Sequence, residues 1–395
     1  MVDAKVAHIT IHNTRSSAVE VYGGSAPART SAASAVAPLI VLRVIFVRAP
    51  LHIRMDASIL EAVTLDVSSW LDGDEDARNL VAYRFDVAFR SFGLVLVTGY
   101  PGQDAHEETS QALVKEAGAF FATSLEEKMR WNNGPYGSSD GGYTPPGLES
   151  VARSIGLQQK DHVESFTFTA HPSSFAKRGG ECPFQATAAQ YYEGMCGALR
   201  LIHSIAARAL DVAPAFFDDC YFDTPPDAGA NGLAFKISWY RQEHGGRDEA
   251  DAAVPEPRLR YGEHTDYQGF TLLKPDCRDW RVDAEGCSGG LEFKHGDEWV
   301  PVAIPATLGS SLVVNAGDLV RVWSNDRWMS PIHRVRASTR AVPEERCSLV
   351  FFTGPAANTL VVPICKAGEA PLHAPVLAGE HLQRKLKATQ DTQRG

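Results

Sequence analysis

The sequence contains no apolar run that could cross a membrane as a helix, which needs about 18 or more residues. Its longest apolar stretch, PLIVLRVIFV over residues 38–47, is interrupted by Arg43. Cysteine is also scarce, because the 395 residues include only seven, scattered and without a CxxC pair. This pattern argues against a disulfide framework or a zinc ribbon and favours a reducing compartment. We therefore predict a cytoplasmic protein with no membrane partner.

An excess of positive charge is absent too. The formal net charge is −10, which argues against a phosphate-binding track for nucleic acid. Hydrophobic residues make up 44% and charged residues 22%, the composition of an ordinary soluble globular protein. We expect a monomer with room for two or three structural units and a sizeable core.

Residues 1–54 differ from the rest of the chain. They hold six Lys or Arg against two acids, and they include the small-residue run RTSAASAVAPL. A basic, acid-poor start rich in Ser and Ala is typical of an organellar transit segment. A disordered tail, or a gene model extended upstream of Met55, explains the composition as well. We treat residues 1–54 as an extension outside the fold.

The remaining pattern divides into three parts. Residues 55–229 show helical periodicity with two short apolar strands, and the acids at positions 74–76 suit a first helical turn. Residues 230–358 contain many short strand patterns broken by Gly, Asp and Asn, which predict an all-β barrel or a jelly roll. Residues 359–395 form a C-terminal segment that ends in the charged stretch EHLQRKLKATQ, a helix or a tail.

A histidine and an aspartate lie two residues apart in the stretch RYGEHTDYQGF, over residues 260–270. Alternate residues of a strand face the same side, so His264 and Asp266 would present an imidazole and a carboxylate together. His333 begins a predicted strand later in the chain, and a jelly roll could bring it opposite them across the barrel. Two imidazoles and one carboxylate make the facial triad of non-haem Fe(II) oxygenases. A core histidine beside a turn-capping aspartate is the alternative interpretation.

The stretch RCSLVFF places Arg346 and Ser348 on one face of an apolar strand. A buried guanidinium needs an anionic partner, and its planar fork suits a carboxylate. Pairing with the nearby Glu344 or Glu345 is the simpler alternative. Because the arginine leads directly into an apolar strand, we favour an interior anion clamp.

With these motifs in order, the chain resembles the isopenicillin N synthase-like class of 2-oxoglutarate/Fe(II)-dependent dioxygenases. The matching runs in the C-terminal half are HTDYQGFTLL, GGLEF, WVPV, VVNAGDLV, SNDRWMSPIHRV and RCSLVFFTGP. FGLVLVTGYP, FFATSLEEKMR, GGYTPPGLES and KDHVESFTF match in the N-terminal half, so the resemblance covers roughly residues 59–365. It implies a double-stranded β-helix (jelly-roll) core, mainly β with α, behind a helical N-terminal region.

Carried over by position, the resemblance implies that His264, Asp266 and His333 are metal ligands and catalytic residues. It also implies that Arg346 and Ser348 clamp the far carboxylate of 2-oxoglutarate, and that Tyr240 hydrogen-bonds the same co-substrate. The cofactors would be Fe(II), 2-oxoglutarate and O2, with ascorbate as a reductant. The enzyme would oxidise a small organic metabolite and release succinate and CO2.

Several positions in the family pattern have a second interpretation. Tyr240 could be a cross-strand core aromatic, and it is followed by Arg241 where the family usually has proline. Asn315 and Asp318 suit a tight structural turn between strands. Tyr143 and Phe166 would either line the substrate pocket or pack helices against the barrel.

Three other functions remain open at this stage. The first is a 2-oxoglutarate-independent oxidase of the same class, because isopenicillin N synthase also has an R-x-S pair. The second is a non-catalytic barrel that serves as a binding module. The third is a zinc hydrolase, which is disfavoured because Glu263 would face away from His264 and leave no general base beside the metal.

Overall fold

The computed structural model describes residues 57–132, 141–157, 159–175, 182–225, 229–241, 259–275, 290–302, 304–337 and 345–390. The predicted extension over residues 1–54 lies outside them, as does most of the polar stretch between Tyr240 and His264. None of the described helices is long and apolar enough to span a bilayer.

Helices account for most of the first half of the described chain. The α-helices are α1 (Ala57–Val63), α2 (Ser68–Asp72), α3 (Glu75–Ser91), α4 (Gln103–Phe121), α5 (Leu125–Met129), α6 (Gln185–Leu210), α7 (Asp218–Tyr221), α8 (Asp318–Trp323) and α9 (Ala378–Gln390). Short 3-10 turns occupy Val151–Ile155, Pro172–Ser174 and Ala306–Leu308.

Strands dominate the second half, as the sequence predicts. They are β1 (Thr64–Asp66), β2 (Leu94–Thr98), β3 (Gly142–Thr144), β4 (Glu164–Phe168), β5 (Ala234–Tyr240), β6 (Leu259–His264), β7 (Phe270–Pro275), β8 (Leu291–His295), β9 (Glu298–Pro301), β10 (Leu312–Ala316), β11 (His333–Arg336), β12 (Arg346–Phe352), β13 (Leu360–Val361) and β14 (Val376–Leu377).

Two mainly antiparallel sheets form the core. The larger has the order β1-β2-β10-β7-β12-β5-β4-β3, and the smaller has the order β6-β11-β8-β9. Strands distant in sequence are neighbours in both sheets, as expected when a β-chain folds back on itself in a jelly roll. The jelly-roll core with a helical N-terminal region is confirmed.

Local sequence explains where the main helices begin. Asp74 caps α3 by accepting a hydrogen bond from the Ala77 N–H at 2.9 Å, and Glu75 and Asp76 occupy its first turn, as predicted. Ser124 caps α5 in the same way, with the Glu127 N–H as donor. Such caps contribute about 1 kcal/mol each.

The long helix α6 and the helix α3 pack on each other and supply much of the core. Phe85 and Phe89 of α3 contact Phe270 and Trp328 of the barrel region, with ring centroids 5.5 to 6.0 Å apart. Phe270 is the first residue of β7, the strand that follows the loop carrying Asp266. Because these aromatic rings pack α3 against β7, the helical region contributes to the hydrophobic core of the barrel.

A buried ion cluster connects β4 to the helices. The Glu164 carboxylate is fully buried and accepts hydrogen bonds from Lys128 Nζ and the Tyr143 hydroxyl, both at 2.7 Å, and from Arg241 Nε. Arg241 also donates to the Phe121 carbonyl at 2.7 Å. The residue that departs from the family pattern after Tyr240 therefore helps to neutralise a buried acid.

We expect the Glu164→Gln variant to lose about 3–5 kcal/mol of folding stability, because it leaves the buried Lys128 ammonium without its counter-ion. The matched control is Glu127→Gln, whose ion pair with Arg130 is exposed and worth less than about 1 kcal/mol. Urea denaturation of both variants measures the difference. Equal denaturation midpoints would contradict this account of the cluster.

Candidate active site

The histidines and the aspartate singled out in the sequence lie together at one end of the smaller sheet. His264 Nε2 lies 3.9 Å from Asp266 Oδ1, and His333 Nε2 lies 3.8 Å from the same oxygen. The three ligand atoms all lie within 4.8 Å of one another, and this is the one group of its kind among the described residues. The predicted triad is therefore assembled.

Two details of how the triad assembles differ from the prediction. The strand β6 ends at His264, so Asp266 belongs to the following loop and strand alternation does not bring the two together. His333 is not across the barrel either. It pairs directly with His264, because β11 and β6 are adjacent antiparallel strands of one sheet.

The backbone fixes the tautomer of both imidazoles. His264 Nδ1 lies 2.8 Å from the Gly262 carbonyl oxygen, and His333 Nδ1 lies 3.1 Å from that of Pro331. A carbonyl can only accept, so each Nδ1 carries a proton, and in the neutral form of each ring the lone pair lies on Nε2. Burial, followed by the neighbouring His333, lowers the pKa of His264 well below its ordinary value and keeps the ring neutral.

The Asp266 carboxylate is oriented by an amide. Asn315 Nδ2 donates to Asp266 Oδ2 at 2.6 Å, which leaves Oδ1 facing the two imidazoles. Asn315 lies inside strand β10, so its interpretation as a turn residue was wrong. Its contact with Asp266 is not visible in the sequence, because the two residues are 49 positions apart.

The loop that carries Asp266 is held by the beginning of α8. The Asp318 N–H donates to the Asp266 carbonyl and the Leu319 N–H to the Gln268 carbonyl, both at 2.9 Å. A Cβ at Gly317 would lie 2.7 Å from two carbonyl oxygens of this loop, so only glycine allows the approach. Asp318 is therefore part of a helix start that supports the triad.

A narrow chamber of about 60 Å³ lies between the two sheets beside the triad. That volume accommodates only a few water molecules. Its walls include the triad at one side and residues of β5 and β12 at another, among them Tyr240, Arg346 and Ser348. The sequence-predicted clamp residues and the triad therefore share one chamber.

The predicted clamp residues contact one another. Arg346 is buried, its Nη2 donates to Ser348 Oγ at 3.1 Å, and its guanidinium carbon lies 4.7 Å from the centroid of the Tyr240 ring. Tyr240 pairs with Arg346 across β5 and β12, so it is also the cross-strand aromatic of the alternative interpretation. Burial raises the pKa of Tyr240 to about 12, so its hydroxyl remains a proton donor.

A larger cavity of about 350 Å³ meets the chamber at the triad. His264, Asp266, Lys236 and Tyr261 line both spaces. Of the two aromatics proposed for a substrate pocket, Tyr143 lines this cavity, whereas Phe166 is fully buried among the aromatic residues of the core.

Two features of the larger cavity were missed from the sequence. Leu382 and Leu386 of the C-terminal helix α9 form part of its wall, although the segment was interpreted only as a charged helix or tail. Lys385 of this helix pairs with Asp318 at 2.6 Å, which anchors α9 next to the triad loop. Lys236 is the second feature, and a lysine within the apolar stretch LAFKISWY was the available signal.

The donor set fits a divalent non-haem metal. Two imidazoles whose Nε2 atoms face the shared position and one oriented carboxylate oxygen leave the remaining coordination positions for other ligands. Each imidazole also donates its second N–H to a carbonyl, the supporting contact usual for metal-binding histidines.

Two family models match the chain. The model described as the 2OG-Fe(II) oxygenase superfamily matches residues 240–355, which include the triad and the clamp. The model described as the N-terminal region of non-haem dioxygenases in morphine synthesis matches residues 64–185.

Known proteins agree with these matches. The chain is 27% identical over 317 residues to validamycin A dioxygenase of Streptomyces hygroscopicus subsp. limoneus, covering 76% of this chain and 78% of the relative. A Neurospora crassa protein, solved in complex with alpha-KG and thymine, superposes with a TM-score of 0.65 at 22% identity, covering 82% of this chain and 96% of that one. The rice dioxygenase for auxin oxidation superposes with a TM-score of 0.57 at 22% identity, covering 81% and 93%.

Proposed function

Because the chain belongs to the 2-oxoglutarate/Fe(II)-dependent dioxygenases of the isopenicillin N synthase-like class, we propose that His264, Asp266 and His333 hold its Fe(II). The observation that carries this assignment is the convergence of three ligand atoms within 4.8 Å, with both Nδ1 protons committed to backbone carbonyls. The buried position of Asp266 further supports it, because a buried carboxylate needs a cation or donors around it.

We further propose that Arg346 and Ser348 bind the far carboxylate of 2-oxoglutarate, with Tyr240 as an additional hydroxyl donor. The guanidinium provides a charged planar fork and Ser348 orients it. The co-substrate would extend from this clamp through the narrow chamber to the triad. The triad and the Arg346/Ser348 pair both line this chamber, and their shared position supports this placement.

The enzyme oxidises a small organic metabolite. Fe(II) held by the triad would supply, with 2-oxoglutarate and O2, the oxidation of a substrate C–H bond, coupled to the conversion of 2-oxoglutarate to succinate and CO2. The residues of the chain itself hold the metal, position the co-substrate and surround the substrate. Asn315 fixes which Asp266 oxygen faces the metal position, Arg346 positions the co-substrate, and the apolar walls of the larger cavity exclude water around the substrate.

Succinate release from 2-oxoglutarate tests the proposed function against its alternatives. We expect the full-length protein with Fe(II) and ascorbate to convert 2-oxoglutarate to succinate, and a panel of small metabolites to stimulate that conversion. Substrate oxidation that proceeds equally without 2-oxoglutarate would indicate an oxidase of the isopenicillin N synthase type. No Fe(II) binding under anaerobic conditions would indicate a non-catalytic barrel.

The Asn315→Leu variant should bind Fe(II) about 10–100-fold more weakly than the unaltered protein, because Asp266 loses the hydrogen bond that orients it. Equilibrium dialysis with Fe(II) under anaerobic conditions measures the effect. Asn132→Leu serves as the control, because this asparagine donates to the backbone carbonyl of Tyr143 and not to a triad residue. Equal Fe(II) affinity of Asn315→Leu and the unaltered protein would show that the amide has no role in metal binding.

A further inference from the structure

Lys236 and Tyr261 form one polar wall of the larger cavity, and a buried carboxylate behind that wall neutralises its positive charge. Lys236 and Tyr261 line the cavity, and directly behind them lies the buried Glu149. Lys236 Nζ lies 2.5 Å from Glu149 Oε2, and the Tyr261 hydroxyl donates to the same oxygen at 3.2 Å. Ser165 donates to the other oxygen at 3.0 Å. The positive charge of the Lys236 ammonium and the negative charge of the Glu149 carboxylate therefore cancel within the wall.

This arrangement lies next to the metal position. The Tyr261 ring centroid is 5.1 Å from that of His264, and Lys236 lines the narrow chamber as well as the larger cavity. A substrate atom that accepts a hydrogen bond from Lys236 is therefore held close to the triad. Anchoring of this kind determines which C–H bond of the substrate faces the metal.

The charges around this wall disfavour both acids and amines. A substrate carboxylate at Lys236 would bring a second negative charge beside Glu149 within a buried site, where like charges repel strongly. A substrate ammonium would meet the Lys236 charge instead. Among the described residues that line the cavity, the one carboxylate is Asp266, which belongs to the triad and accepts a hydrogen bond from Asn315.

The rest of the lining exposes mainly apolar surface, although five threonines contribute to it. Val151, Leu233, Phe352, Leu382 and Leu386 contribute aliphatic and aromatic surface. Asn231 donates to the Tyr221 carbonyl and Gln268 to the Ala378 carbonyl, so both amides have bonds within the protein. Such a lining binds a mainly apolar skeleton, and the polar side chains that share it, apart from Lys236 and the triad residues, are uncharged hydroxyls and amides.

From these contacts we propose that the substrate is a neutral, mainly apolar molecule with a carbonyl-type oxygen, and that Lys236 is the positioning residue that donates a hydrogen bond to this oxygen. Glu149 sets the preference for neutral over anionic molecules. This inference rests on the proposed function, because it treats the larger cavity as the substrate site of the dioxygenase.

The test uses four probes with one skeleton: methyl phenylacetate, phenylacetamide, phenylacetic acid and 2-phenylethylamine. Their affinities for the full-length protein, with diamagnetic Zn(II) in place of Fe(II), are measured by ligand-observed NMR with and without 2-oxoglutarate. We expect the ester or the amide to bind at least about tenfold more tightly than the acid and the amine. Equal affinity of the acid, or no binding of any probe, would overturn the proposal.

The Glu149→Gln variant makes the test specific, because it leaves the Lys236 charge without its counter-ion. We expect the acid to gain at least about tenfold in affinity relative to the ester. The matched control is Glu107→Gln, which alters the Glu107–Lys274 ion pair outside both cavities and should leave the ratio unchanged. An unchanged ratio in folded Glu149→Gln would overturn the role of Glu149.

A third measurement covers Lys236 itself. The Lys236→Met variant should lose the preference for the ester and the amide over toluene while retaining its affinity for 2-oxoglutarate. Weaker 2-oxoglutarate binding with unchanged probe affinities would instead assign Lys236 to the co-substrate. Failure of the unaltered protein to bind 2-oxoglutarate would count against the proposed function alone, because the probe ranking is also measured without it.

Discussion

The Asp266→Ala variant is expected to bind Fe(II) at least about 100-fold more weakly and to release no measurable succinate, because it removes the only anionic ligand of the triad. The two neutral imidazoles that remain supply no negative charge to a divalent cation. Anaerobic equilibrium dialysis with Fe(II), followed by an assay of succinate release, measures both effects.

The control for this variant is Glu263→Ala. Glu263 lies beside His264 in the sequence, but its carboxylate pairs with Arg334 at 3.0 Å and does not belong to the triad. This variant should keep its Fe(II) affinity, since partly exposed ion pairs contribute less than about 1 kcal/mol. If Asp266→Ala retained iron binding and turnover, the triad could not be the iron site of the enzyme.

The second large effect is expected for Arg346→Leu, which should raise the KM for 2-oxoglutarate by roughly 10–100-fold with a smaller change in kcat. The physical reason is the loss of a charge-assisted hydrogen bond, worth about 1.5–3 kcal/mol. The KM of Arg346→Lys for 2-oxoglutarate should lie between those of Arg346→Leu and the unaltered protein, because lysine keeps the charge but not the planar fork.

Ser348→Ala should have a smaller effect on the same KM than Arg346→Leu. It removes the hydroxyl that accepts from Arg346 Nη2 but keeps the guanidinium, so we expect a rise in KM of only a fewfold. The measurement is succinate release as a function of 2-oxoglutarate concentration. A KM for 2-oxoglutarate that does not change in Arg346→Leu would mean that the co-substrate carboxylate binds elsewhere.

The placements that the sequence predicted correctly follow local patterns. The sequence places Arg346 and Ser348 on the same face of one strand. The structure shows this arrangement because β12 is a regular buried strand. The capped start of α3 is equally local. Patterns within one element can be predicted because the element itself sets the direction of its side chains.

The features that were missed depend on contacts between distant segments. Asn315 lies 49 residues from Asp266, and Lys236 lies 87 residues from Glu149. Neither pairing follows from periodicity, and even Asp266 is positioned by the start of α8 and not by the strand before it. The contribution of α9 to the cavity wall is of the same kind, because its charged sequence does not reveal which surface its leucines cover.

The most direct test of the central claim, that the triad and the Arg346 clamp form one site, is an anaerobic calorimetric titration of the full-length protein with 2-oxoglutarate. With Fe(II) present we predict one binding site, with affinity greatly reduced in Arg346→Leu and in Asp266→Ala. Binding of 2-oxoglutarate that is equally tight without metal and in both variants would contradict the claim.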